Sequence, residues 1–126
     1  MRLEDYLAGN AQTHVFKKGQ TVFVKGAQAA AAFYIIEGEI EIFDDPNAVV
    51  AKLHNGEIFG EMALLRYDEY TLSSRAAIDT KVYMITPKML QMEMRNIHPL
   101  IKAIIDMLVD RIHETNQVLI DLNNIK

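Results

Sequence analysis

Residues 33–43 read FYIIEGEIEIF, an apolar run from Phe33 to Ile36, then Glu37-Gly38-Glu39, then Ile40 to Phe43 with charged and apolar residues alternating. A period of two places apolar side chains on one face of a strand. Glycine between two such runs marks a chain reversal, so this stretch is the clearest hairpin in the sequence. Upstream, HVFKKGQTVFV at 14–24 holds two short β-branched and aromatic runs around Lys18-Gly19, with Gly26 after the second. Downstream, Asp44-Asp45-Pro46-Asn47 is a turn cluster, Val49 to Leu53 a further strand and Asn55-Gly56 a further turn. Strands recurring roughly every 8–12 residues predict a mainly β fold, an antiparallel jelly-roll barrel over residues 10–85. The alanines at 29–32 are read as small-residue packing or loop, with no functional role.

The period changes after Ile85. Thr86-Pro87 supplies a hydroxyl N-cap and a proline at the first helical position, predicting a helix to about Asn96 with Met89 and Met92 as core filler. A second start lies at His98-Pro99, so C-terminal helices are expected over 87–124. Beyond that start, Ile101, Ile105, Leu108, Ile112, Thr115, Leu119 and Leu122 follow a 4-3-4-3-4-3 spacing. A seam of about three heptads with one polar member predicts two helices pairing side by side, hence a homodimer. Ile104 and Val118 widen the stripe, which is what a helix docked on its own chain would show instead.

Bulk properties narrow the function. The chain has 126 residues, half of them hydrophobic. That is one domain, able to bury ~65% of its unfolded surface in one core. The net charge of −4 lacks the basic excess that phosphate backbones demand, so direct nucleic-acid binding is not expected. The absence of cysteine excludes disulfides, thiol catalysis and thiolate metal sites. The N-terminal MRLEDYLAGN is polar and no apolar run approaches ~18 residues, so neither signal peptide nor membrane span is expected and the cytoplasm is the default compartment. His14, His54, His98 and His113 lack ligand spacing, and no nucleophile stands with a base. An enzyme, a metal and a cofactor are all unexpected.

In order and spacing, Phe16, Gly19 and Val22 as F-x-x-G-x-x-V, then Gly26, FYIIEGEIEI, GEIFGEMALL at 56–65 and a long last helix resemble the cyclic nucleotide-binding domain across essentially the whole chain. DRIHETNQVL at 110–119 resembles the dimerisation helix of catabolite-activator-type bacterial regulators. The DNA-reading domain that follows such a helix is not expected within these residues. The resemblance implies a regulatory sensor with cyclic AMP as ligand and, if it acts on transcription, through a protein partner. It implies a phosphate cassette at 59–70 that opens Phe59-Gly60-Glu61-Met62-Ala63-Leu64. There a short helix turns its free N–H groups toward a cyclic phosphate, a glutamate accepts from the ribose 2′-OH, and an arginine forks onto the phosphate oxygens. Gly60, Glu61, Met62 and Ala63 fall on those positions, and Thr115 and Asn116 on positions that contact the base. Glu61 also reads as a solvated acid at a helix start, and Thr115 as a register-setting polar residue in a seam.

The arginine decides the affinity. In one frame Arg75-Ala76-Ala77 is the family's Arg-small-Ala signature and the cassette loop has grown by about five residues. In the ungapped frame Tyr70 stands at the arginine position, Glu69 at the usual proline and Thr71 at the following small residue. The ungapped frame carries AAIDTKVYMI onto the family's next strand with no adjustment. It puts Arg75 five residues past the arginine site, and an odd offset on a strand faces the opposite way. This frame is the favoured one. A lost bidentate arginine costs about 3–4 kcal/mol, or roughly 10²–10³ in affinity. Asp68 and Glu69 add negative charge, and Arg66 is the one other nearby cation. The rival expectations are a degenerate dimerisation or partner-docking module, and a pocket retuned to another small ligand.

Overall fold

The computed structural model describes residues 1–66 and 68–124, and Tyr67 of the expected cassette lies outside them. Eight strands among these residues form two four-stranded antiparallel sheets. One sheet has the order β1 (Gln12–Phe16), β8 (Thr80–Ile85), β3 (Ala32–Glu37), β6 (Ile58–Phe59). The other has the order β2 (Thr21–Phe23), β7 (Ser73–Ala76), β4 (Glu39–Phe43), β5 (Val49–His54). First pairs with eighth, second with seventh, third with sixth and fourth with fifth, so the topology is one long hairpin wrapped into a jelly roll. The sheets are open and do not close into the expected barrel. Four helices accompany them: α1 (Leu3–Asn10), α2 (Glu61–Arg66), α3 (Pro87–Met94) and α4 (Pro99–Asn124).

The expected hairpin at 33–43 is corrected by this pairing. β3 bonds β8 and β6, whereas β4 bonds β5 and β7, so the chain crosses from one sheet to the other at Gly38. Alternation in the sequence gives each strand an inner face without naming its neighbour. Gly38 has φ 131°, and a Cβ there would lie 2.3 Å from Thr80 Oγ1 and 2.7 Å from Thr80 Cα. Thr80 Oγ1 donates to the Ile78 carbonyl at 2.8 Å and accepts from the Glu39 N–H at 3.1 Å, and Asn55 Oδ1 accepts from the Gly38 N–H at 2.8 Å. The crossing is therefore held from both sides. The true hairpin is β4 to β5, turned at Asp45, whose side chain and carbonyl accept from the Asn47 and Ala48 N–H groups.

Between the sheets lie Phe16, Phe33, Ile35, Ile40, Phe59 and Val82, with Ala31 and Ala76 where space is short. β3 is buried on its other face as well: Tyr34 donates its hydroxyl to Glu4 of α1, and Leu7 of α1 is fully buried. This N-terminal stretch is largely polar in sequence, and Leu7 is its one buried residue. The bond to Glu4, followed by burial, raises the Tyr34 phenol above its ordinary range.

The chain divides into two compact units, Met1–Pro87 and Lys88–Lys126. α3 starts at the expected Pro87 and ends two residues before Asn96. Met92 is exposed, so it is not the core filler that its helical spacing suggested, while Met89 is half-buried. α4 is one continuous helix of 26 residues. Ile101, Leu108, Ile112, Leu119 and Leu122 of its seam are exposed, Ile105 is half-buried, and Ile104 and Val118 are also exposed.

Gly38→Ala should lower unfolding free energy by roughly 2–4 kcal/mol, because the position combines a glycine-only φ with backbone contact. Urea denaturation measures it, and a loss below about 1 kcal/mol would mean that the crossing tolerates a side chain.

Candidate functional site

β6 delivers Phe59 to the core, and the chain turns at Gly60 into α2. Gly60 has φ 79°, and a Cβ added there would meet Phe23 Cε2 at 3.1 Å, the Ala31 carbonyl at 3.4 Å and Tyr70 Cε1 at 3.5 Å. Backbone geometry and space both require glycine at this position. α2 then buries Ala63 and Leu64 and leaves Glu61 and Met62 half-buried. Burial pushes the Glu61 carboxyl above its ordinary range, and its own backbone N–H partly offsets that. A hydroxyl donor brought to this carboxylate would favour its ionised form.

Tyr70 is 6% exposed. Its ring stacks on Phe23 with centroids 3.8 Å apart and planes 6° from parallel. Its hydroxyl donates to the Ala31 carbonyl at 2.6 Å and faces the Ala30 and Ala31 N–H groups, each at 3.3 Å. The backbone around it is tied to the segment after β2. Gly26 donates to the Tyr70 carbonyl at 2.8 Å, Tyr70 to the Ala27 carbonyl at 2.9 Å, and Ala29 to the Asp68 carbonyl at 3.0 Å. The alanine run, to which the sequence reading gave no role, thus forms the seat of the Tyr70 phenol. Neither Phe23 nor Ala31 was singled out from the sequence, where the one available signal was a run of small residues following Gly26.

Arg75 is engaged elsewhere. It pairs across the sheet with Glu41, Nε lying 3.4 Å from Oε1, and its Nη2 donates to the Pro46 carbonyl at 2.9 Å. The guanidinium also sits 4.5 Å over the Phe43 ring. Its neighbours Ser74 and Ala76 are buried, Ala76 inside the core, so Arg75 occupies the outward face of β7. Thr71 is half-buried, and Asp68 and Glu69 are exposed. Thr115 and Asn116 are exposed on α4, and the Thr115 hydroxyl donates to the Arg111 carbonyl at 2.9 Å within that helix.

The Phe23–Tyr70 pair also walls a cavity of about 450 Å³. Phe16, Phe33 and Met84 line it from the other sheet, and His14 and Gln28 stand among its lining residues. Of the expected ligand-binding residues, Tyr70 alone lines it. Among the described residues no cluster of three His, Asp or Glu side chains could hold a metal ion, and no helix is long and apolar enough to cross a membrane.

The sequence pattern described as cyclic nucleotide-binding domain matches residues 13–96. A cAMP-dependent protein kinase regulatory subunit of Debaryomyces hansenii is 32% identical over 76 residues, 60% of this chain. The chain spans only 17% of that relative's length. The cAMP- and cyclic-di-GMP-bound structure of EAL enzyme Bd1971 superposes with a TM-score of 0.77 at 25% identity, over 91% of this chain and 31% of that one. The Thermus thermophilus catabolite activator protein shares the fold with a TM-score of 0.71 at 23% identity, over 97% of this chain and 60% of that one.

The bonds of the Tyr70 hydroxyl carry a stability prediction. Tyr70→Phe keeps the stack on Phe23 but strands the Ala31 carbonyl and two N–H groups, at a cost of roughly 1–3 kcal/mol. Chemical denaturation reads this, and unchanged stability would show that solvent satisfies those groups.

Proposed function

The chain belongs to the cyclic nucleotide-binding domain family, and we propose that it is a regulatory module with an attenuated phosphate site, acting by binding rather than by catalysis. One observation carries the reading. In the ungapped frame Tyr70 stands where the family's arginine would, and here its hydroxyl is already bonded to the protein's own backbone. That leaves it less able to take even the one neutral bond to phosphate that a free phenol would offer. Arg75 would have to leave Glu41, Pro46 and Phe43 and reverse its face to replace the missing charge. Gly60, Glu61, Met62 and Ala63 keep the cassette start, with the turn into α2 intact and Glu61 suited to a ribose hydroxyl. The favoured nucleotide is cyclic AMP, following the relative named for a cAMP-dependent kinase and the cAMP-bound structural neighbour.

Without the arginine, affinity for cyclic AMP is expected on the order of 0.1 mM or weaker. The double change Glu69→Pro, Tyr70→Arg should tighten it by at least about tenfold, by adding a fork and removing a negative charge. Arg75→Ala should leave it unaltered. Titration calorimetry on the three proteins decides, and tight wild-type binding that Arg75→Ala abolishes would reverse the assignment.

A second reading is a module that has given up nucleotide and serves dimerisation or partner docking. It is favoured by the fully engaged Tyr70 hydroxyl together with the exposed stripe of α4. Both readings expect two copies to pair through α4, since an apolar seam with heptad spacing is stable only when covered. Replacing Leu108 and Ile112 by glutamate should convert a dimer to a monomer in equilibrium sedimentation. A dimer that survives both changes would rule out pairing along this seam.

A further inference from the structure

The geometry points to a second binding site in the first unit, where the cavity walled by the Phe23–Tyr70 stack takes a neutral, largely apolar small molecule. The cavity shares Tyr70 with the cassette, but none of Gly60, Glu61, Met62 and Ala63 lines it, so its ligand need not be the nucleotide. At about 450 Å³ the cavity falls within the size of small-molecule sites. The cavity opens to solvent beside exposed residues, so its use as a site rests on walls that keep their shape when a ligand enters.

Those walls are built. Phe16 and Phe33 meet edge to face at 6.0 Å and 82°, which fixes one side. On the other side the Tyr70 ring is set by its stack on Phe23 and pinned by its hydroxyl bonds to the alanine run. A preorganised wall loses little freedom on binding. The chemistry of the lining selects the occupant. No lysine, arginine, aspartate or glutamate lines the cavity, so a charged ligand would be desolvated with no counter-charge. Because the Tyr70 hydroxyl is bonded to backbone, this residue contributes chiefly its ring. The polar side groups left are those of His14 and Gln28, both on exposed residues; the Gln28 amide already donates to the Asp68 carbonyl at 3.3 Å, so His14 and the Gln28 oxygen suit one polar substituent held at the mouth. Aromatic rings on both sides favour an aromatic body.

The test is a fluorescence titration of the full chain with N-phenyl-1-naphthylamine, a neutral aromatic probe, alongside methyl NMR spectra of the same samples. Saturable binding of one probe per chain is expected, with shifts at the methyls of Val22, Val24 and Met84 and none at Met107 and Val118 of α4. Two substitutions at the exposed mouth check the location: Ala30→Trp fills it and Val24→Glu charges it. Each should weaken the probe by at least about tenfold, with the remaining methyl spectrum showing a folded chain. Binding that does not saturate, that both variants leave unaltered, or that shifts the α4 methyls instead would overturn the site.

Discussion

Two sheets share one layer of apolar side chains, and that shared layer dictates which way every other residue must face. Phe33 and Ile35 from one sheet meet Ile40 and Ala76 from the other. Once Ala76 is inside, the period of two sends Arg75 out to Glu41 and Phe43, however useful a cation would be within. The layer also sets the crossings. Gly38 exists because Thr80 lies against its α-carbon, where the chain leaves one sheet for the other. Function is then confined to the ends of strands and to the segments between them, where facing is not imposed.

Much of this was legible in the sequence. The strands within 14–24, 33–43 and 49–53, the turn at Asn55-Gly56, the helix start at Pro87 and the heptad spacing of α4 follow from local signals. The jelly roll itself was legible through the order of glycine motifs. Pairing was not: the runs at 33–36 and 40–43 look like one hairpin because alternation is a property of a single strand, while partners are fixed by contacts far along the chain. α1 escaped notice for a similar reason, since LEDYLAGN buries only Leu7 and owes its docking to Tyr34. At the candidate site the Gly60-Glu61 turn was legible from residue types. The seat of Tyr70 was not, because its partners are backbone atoms of alanines 39 and 40 positions away, and backbone atoms leave no mark on residue identity.

Tyr70 links the two parts of the first unit's chemistry. An arginine at such a place must keep its donors available for an anion, which requires solvation or an acidic partner nearby. A phenol can be dried and stacked without that cost, and its one proton is satisfied by a single carbonyl. Tyr70 is accordingly buried and turns a neutral ring to the cavity. It also couples the two regions physically, since the ring that abuts Gly60 is the ring that walls the apolar space.

Open sheets have edges. β5 pairs with β4 alone among the described strands, and it carries Val49 and Val50 exposed at 37% and 54%. A free strand edge displays a row of backbone donors and acceptors to any other extended chain, which is how edge-to-edge aggregation begins. Here the edge carries the exposed Lys52, placed across from Glu41 in the register, and its charge would face its own like across a growing ribbon. A charge so placed is a gatekeeper, the feature that lets a fold leave a sheet unclosed at lower risk of edge-to-edge pairing.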